Sequence, residues 1–396
     1  MINKLLQLTG FLAKAGFRKE AIAVRSLSSN KPRAFIVPHA SEEYSGHIAI
    51  EALKDIPDYN YSSIIILGFD HDSNDAGIYT GSEYSPDNNL IEAFKKNGLE
   101  EVPGDHSIGH LIPLIERFSD LPLCPIVVNG DENIANIIKE VIDDDILVIA
   151  STDLSHYNSA EDAGELDRET ISSIISRSGD VDMCGADAIN TLSNLFDDRI
   201  ELIDYDNSGH LKGDKDKVVG YAALQVGGFD EKILKAKNAV QYFLQERKWP
   251  EEGLDGEMIA TFIGISKDGE LQGSMGQIRP VGPYPVAAVR AFLNTLEDSR
   301  MQYDPEDVFD PDSGFAIKVR LLSELEPVEL NDVIIGKDGM VVEAGEKSAI
   351  FLPEVPTKQG WHHDQYLSEL LKKGGIAEGE DYSLYKFQTK SIMVFS

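Results

Sequence analysis

Cysteine is nearly absent: Cys124 and Cys184 are the only two in 396 residues. Two thiols cannot form a disulfide framework. That usage suits a reducing compartment and leaves each thiol as a ligand, a nucleophile or core filler. No apolar run approaches the roughly 20 residues a membrane-spanning helix needs, and the richest stretches, 63–68 and 146–150, are only strand-length. Bases are scarce, 36 Lys and Arg against 68 Asp and Glu, for a formal net charge of −32. Such a surface repels phosphate backbones, so no nucleic-acid partner and no membrane association is expected. The expectation is a cytoplasmic protein whose acidity serves solubility or adaptation to a salty cytoplasm.

The start of the chain runs the other way. Lys4, Lys14, Arg18, Lys19, Arg25, Lys31 and Arg33 face the single acid Glu20, with Leu5, Leu6, Leu12 and Ala13 at helical spacing. An N-terminal helical extension over 1–32, broken near Gly16, is expected in preference to a targeting helix. Hydrophobic residues at 42% and charged residues at 26% describe a globular chain, and its length implies two domains.

From Arg33 onward, short unalternating apolar runs at 34–37, 63–68, 123–128 and 146–150 are separated by helical stretches at 46–54, 89–97, 110–118, 133–142 and 160–176. Unalternating runs read as interior strands covered on both faces, so this half is α/β with a substantial parallel part. After Gly227 and Gly228 the texture changes. A helix over 231–247 precedes hairpin-like segments at 258–265 and 270–278, turning at Lys267-Asp268-Gly269. A second hairpin is expected from 332–335 to 340–342 through Lys337-Asp338-Gly339. This half reads as α+β, which places domains at 33–229 and 230–396.

The histidines fall at strand ends. His39 follows the first strand by two residues, His71 the second by three and His156 the fourth by six. In parallel α/β sheets the loops leaving the carboxyl ends of strands surround the ligand crevice, so three imidazoles can converge. Cys184 precedes a helix-like run from Ala186 to Leu195, where the N-terminal dipole favours a thiolate. Packing of that helix is the competing role. Two imidazoles and one thiolate would suit iron, copper or zinc rather than magnesium or calcium. His156 is then the candidate acid/base, and Asp153 can orient its ring or hold a metal-bound water, a role that can coexist with capping a helix starting at Leu154. Cys124, inside a strand, reads as core, and the adjacent His362 and His363 as surface or packing residues.

Several blocks occur in a recognisable order: Pro38-His39-Ala40 with Tyr44-Ser45-Gly46; Ile66-Leu67-Gly68 with His71; Asp105-His106-Ser107; Ser151 through Tyr157; Met183-Cys184-Gly185; Asp204-Tyr205; and Val218-Val219-Gly220-Tyr221. Over roughly 33–228 the chain resembles the Memo family, whose fold is similar to class III extradiol dioxygenases. The resemblance implies a metal held by His39, His71 and Cys184, with Asp153 and His156 as catalytic groups and Asp105, His106 and Tyr157 lining the pocket. Ser41, Asp70, Asp72, Asp105 and His210 depart from the family pattern.

The second half resembles the AMMECR-type domain through 268–276, 333–339, Leu352-Pro353-Glu354-Val355 and Gly360-Trp361. The pair resembles the fusion found in the AmmeMemoRadiSam system, and that resemblance implies a radical SAM enzyme as partner. Gln272 and Ser274 stand where that family has Arg and Cys. Neither reproduces a fixed guanidinium fork or a nucleophilic thiol, so a catalytic role does not carry over. The leading expectation is a metal-dependent oxidoreductase, dioxygenase-like, using iron or copper on a small-molecule or peptide substrate. A zinc hydrolase and a non-catalytic metal- or peptide-binding adaptor are the alternatives.

Overall fold

The structure is a computed structural model that describes residues 31–130, 133–178, 183–209 and 213–396. The N-terminal extension and His210 lie outside the described residues. Two compact units divide the chain: one runs to Phe229 and includes Glu354–Trp361, and the other comprises Asp230–Pro353 with His362–Ser396. Among the described residues no helix is long and apolar enough to cross a membrane.

The first unit is built on a nine-stranded mixed sheet: β1 (Ala34–Val37), β2 (Ser63–Gly68), β3 (Gly77–Tyr79), β4 (Glu101–Val102), β5 (Leu123–Val127), β6 (Ile146–Ser151), β7 (His156–Asn158), β8 (Ile200–Asn207) and β9 (Val218–Val226). The order is β4-β3-β5-β2-β6-β1-β9-β7, with β8 pairing β9. At its centre β5, β2, β6 and β1 run parallel, and every residue of these four strands is buried. Parallel strands need covering on both faces, which is why their sequences do not alternate. Their carboxyl ends therefore open on the same edge. β9 closes one side antiparallel to β1. Core residues such as Ile48, Ile64, Ile66, Ile112, Ile149 and Tyr221 pack together in one cluster.

Polar groups are also buried in this unit. His47 Nε2 lies 3.0 Å from Asp206 Oδ2, and Lys358 Nζ donates to the same oxygen at 2.9 Å. Burial pushes the His47 imidazole toward its neutral form, so its Nε2–H donates to a carboxylate that the Lys358 ammonium balances.

The second unit carries two four-stranded sheets, built from β10 (Ala260–Lys267), β11 (Glu270–Gly276), β12 (Phe315–Leu322), β13 (Glu326–Pro327), β14 (Gly339–Ala344), β15 (Lys347–Phe351), β16 (Ser383–Phe387) and β17 (Thr389–Phe395). Their orders are β11-β10-β12-β17 and β13-β16-β14-β15. Helices Glu231–Glu246 and Tyr284–Thr295 supply Phe243, Val289 and Phe292 to a core with Ile263, Ile317 and Val319 of the first of these sheets.

One expected hairpin is absent. Residues 332–335 form no strand: a 3-10 turn at Leu330–Asp332 leads into a closed loop, where Lys337 N–H and Asp338 N–H donate to Ile334 C=O and Asp338 Oδ2 accepts from Ile334 N–H. These bonds use the backbone groups a strand would have offered. β14 pairs instead with β15 across Gly345-Glu346.

The β10–β11 hairpin turns at Asp268 and Gly269, both at positive φ. In β11, Gln272 is buried, donating to Glu270 C=O at 3.3 Å and accepting from Gln302 N–H at 3.4 Å. Ser274 N–H donates to Asp298 Oδ2 at 3.0 Å, and Arg300 Nη2 holds the same oxygen at 2.6 Å. The Arg300 guanidinium keeps the Asp298 carboxyl well below the usual carboxylate range. A depressed carboxyl lends stability that is complete above its unfolded value and lost as pH falls toward the folded one. Asp298→Ala should therefore lower the melting temperature of the second unit at pH 7, with the difference shrinking below about pH 4. Thermal melts of both proteins across that range check this, and a difference that grows on acidification contradicts it.

Candidate metal centre

The carboxyl ends of β1, β2 and β6 place the candidate residues. Leaving β1, His39 is 1% exposed, and its backbone N–H donates to Asp153 Oδ1 at 2.9 Å. Its Nδ1 meets Ser151 Oγ at 2.8 Å, and its ring lies edge-on to Phe69 at 5.3 Å. Burial, reinforced by the neighbouring His106 and His71, lowers the His39 pKa to about 3, so the ring is neutral at physiological pH.

Following β2, His71 directs Nδ1 onto Asp105 Oδ2, which also accepts its backbone N–H at 3.0 Å. The other oxygen of Asp105 caps the short helix His106–Gly109 through Ser107 N–H at 2.8 Å. Three such N–H bonds favour the charged carboxylate and bring Asp105 down to about 2, against the desolvation that opposes them. The cap sets the first residue of that helix, His106, stacked on His71 with ring centroids 4.5 Å apart and planes 9° from parallel.

His39 contacts both rings, at 5.7 Å from His71 and 5.6 Å from His106. The three imidazoles each offer a nitrogen such that all three atoms lie within 4.8 Å of one another. Burial lowers the His106 pKa, although Asp105 pulls it upward. Next to them, His110 Nδ1 reaches the His39 carbonyl at 2.9 Å.

Cys184 approaches His39 from the loop before the helix Ala186–Leu195, with Sγ 3.8 Å from Nε2. It is tied to Asp153 from both directions: Sγ accepts Asp153 N–H at 3.2 Å and donates to Asp153 C=O at 3.4 Å. Burial and the Asp153 carboxylate push the thiol up to about 11. That direction runs against the thiolate that a helix start favours.

Gly185 permits the approach. A Cβ there would lie 2.3 Å from the Ser151 carbonyl oxygen, a backbone atom that cannot move without shifting β6. Gly185→Ala should displace Cys184 from His39 and destabilise the unit by about 1–3 kcal/mol, as overpacking does. A melt together with thiol-labelling kinetics measures both. Unchanged labelling would contradict the placement.

Asp153 does not cap a helix. Residues 152–155 are coil, and the first helix beyond them, Ala160–Ser176, is capped by Ser159. Its buried carboxylate instead accepts from His39 N–H, and burial pushes its pKa up. His156 opens β7 opposite Val219 of β9. The loop holding it is pinned to Gly220, which accepts Leu154 N–H at 2.9 Å and donates to Ser155 C=O at 3.0 Å. Asp167 lies beneath, accepting Ser155 N–H and the Tyr205 hydroxyl, each at 2.8 Å. Gly220 must lack a side chain, since its Cβ would overlap the Asp167 carboxylate. Tyr157 sits at a bulge with φ 62° and is 74% exposed, its ring 5.8 Å from that of His156.

The structure therefore gathers His39, His71 and His106 most tightly, with Cys184 and Asp153 against His39. From sequence, His106 was expected only to line the pocket, and Ser107, Ser151 and His110 were not singled out. A serine ending a strand before Thr152-Asp153 was the available signal for Ser151. Cys124 is fully buried in β5, and its thiol is pushed well above the usual range by burial. His363 Nε2 bonds Val333 C=O at 2.7 Å, a packing contact.

A family model described as Memo-like protein matches residues 7–225, more than half of the chain. The chain belongs to the Memo-like family. A model described as AMMECR1 matches 231–392, so a Memo-like domain is followed by an AMMECR1 domain. The first is similar to a MEMO1 family protein of Methanosarcina mazei, 29% identical over 227 residues, covering 48% of this chain and 84% of that protein. One from Sulfurisphaera tokodaii is 30% identical over 243 residues, covering 49% and 82%. One from Aquifex aeolicus is 26% identical over 232 residues, covering 49% and 85%. An uncharacterised protein of Pyrococcus horikoshii with a solved crystal structure matches at 22% identity and a TM-score of 0.35, covering 41% of this chain and 89% of that one.

Proposed function

We propose that the Memo-like domain is a metal-dependent oxidoreductase, dioxygenase-like, acting on a small-molecule or peptide substrate. The observation that carries this reading is the convergence of the His39, His71 and His106 nitrogens within 4.8 Å. The residues fit a metal. His39 is neutral and buried, its Nδ1 is engaged by Ser151, and His71 Nδ1 is engaged by Asp105. The Nε2 atoms are thereby the natural donors, with hydrogen-bonded partners fixing the rings as metal sites require. Cys184 stands beside His39 as a further soft donor, and its proton would have to leave on ligation.

A bound iron or copper ion would supply electron transfer and polarisation of a substrate oxygen. The chain's own groups do the rest. His39, His71 and His106 would hold the ion; Asp153 fixes the His39 backbone and stands 3.8 Å from its Nε2; His156 would exchange a proton with the substrate. Gln272 and Ser274 leave the AMMECR1 domain without the guanidinium and thiol that its family has at those two positions. We therefore assign that domain to docking of a radical SAM enzyme rather than to chemistry.

Elemental analysis of protein purified without added metal tests the reading. One iron or copper per chain, lost in His39→Ala, is expected. Zinc alone, with no dioxygen uptake, would replace it by a zinc hydrolase using the same ligands.

A further inference from the structure

Ser151 and Ser107 form a buried hydrogen-bonded spine beneath the three imidazoles. Ser151 Oγ lies 2.6 Å from the Ser107 carbonyl oxygen and 2.8 Å from His39 Nδ1. A carbonyl only accepts, and a serine hydroxyl has one proton, so that proton goes to Ser107. Toward His39, Ser151 can only accept. The ring must therefore donate from Nδ1, and in the neutral imidazole the lone pair then sits on Nε2, the atom that faces Cys184 Sγ at 3.8 Å.

The spine continues. Ser107 Oγ donates to Phe69 C=O and accepts Phe69 N–H at 3.0 Å. Phe69 precedes His71 by two residues, and Ser107 directly follows His106. Both serines are fully buried, where an unmade bond costs about 1–3 kcal/mol, so this polarity is firmly held.

We propose that Ser151, relayed through Ser107, is a positioning residue that locks His39 as its Nδ1–H tautomer and holds the end of β1 in register with the segments carrying His71 and His106. The claim rests on the metal-centre reading for its purpose but not for its geometry. His71 is locked the same way by Asp105, a carboxylate able only to accept, so two rings present Nε2 by two different devices.

The test uses the whole chain, metal-free and 15N-labelled at histidine, with the His39 signals assigned by their loss in His39→Gln. Pyrrole-type Nδ1 and pyridine-type Nε2 shifts are expected. Ser151→Ala should relax this preference and weaken iron(II) binding about 10–100-fold, as loss of an orienting partner does, while Ser151→Thr, which keeps the hydroxyl, restores both. A wild-type ring protonated on Nε2 overturns the proposal. So does a Ser151→Ala protein with unchanged tautomer and affinity. A locked Nδ1–H ring in a wild type that binds no metal supports the relay and sinks the metal reading alone.

Discussion

His39→Ala is expected to weaken iron(II) or copper binding by at least about 100-fold, more than loss of an orienting partner, which typically costs 10–100-fold. The reason is position. His39 is the buried member of the cluster, touches both His71 and His106 and is the imidazole that Cys184 meets. His71 and His106 stack on each other nearer solvent, so removing either leaves a second ring beside His39. Cys184→Ser should cost less than His39→Ala, since the sulfur contacts one ring and lies outside the three-nitrogen group. Anaerobic titration calorimetry on the three proteins gives the ranking. Equal affinities for wild type and His39→Ala would remove this ring from the site. Circular dichroism must show each variant folded, because Ser151 loses its donor when the ring goes.

The second large effect concerns stability. Asp206 is buried and accepts from His47 Nε2 and from Lys358 Nζ, and the Lys358 side chain is about a third exposed. Lys358→Ala removes the ammonium from a buried carboxylate that keeps its bonds from His47 Nε2 and Asn207 N–H. Breaking one side of a buried pair typically costs 3–5 kcal/mol. The bonds that Asp206 keeps and the partial exposure of Lys358 point to the lower end, about 3 kcal/mol. In a domain of this size each kcal/mol lowers the melting temperature by about 2–4 °C. Differential scanning calorimetry should show that drop in the transition of the Memo-like unit. Lys358→Ala paired with Asp206→Asn should recover part of the loss. A single variant that melts like the wild type would show that solvent already screens the pair.

Much of the fold was legible because parallel interior strands write an unbroken apolar run. β1 and β2 occupy the runs read at 34–37 and 63–68, and the helix Ala160–Ser176 matches its expected span. The misread segment, 332–335, is as apolar as those strands, but Asp338 and Gly336 close it into a loop. Composition cannot distinguish a residue that pairs across a sheet from one whose backbone is consumed by its own turn. At the site, strand-end position marked His39 and His71. The place of His106 follows from the Asp105 cap, which orients a one-turn helix, and no spacing rule announces that. At Cys184 a helix terminus is visible in sequence, whereas the burial that raises its thiol pKa is a property of packing.

Most directly, an anomalous-difference map from crystals of the full chain equilibrated with iron(II) or copper tests whether the three imidazoles hold a metal. A single strong peak roughly 2 Å from nitrogens of His39, His71 and His106 is the expected result. A peak bound elsewhere, or none between those rings at full metal loading, would contradict it.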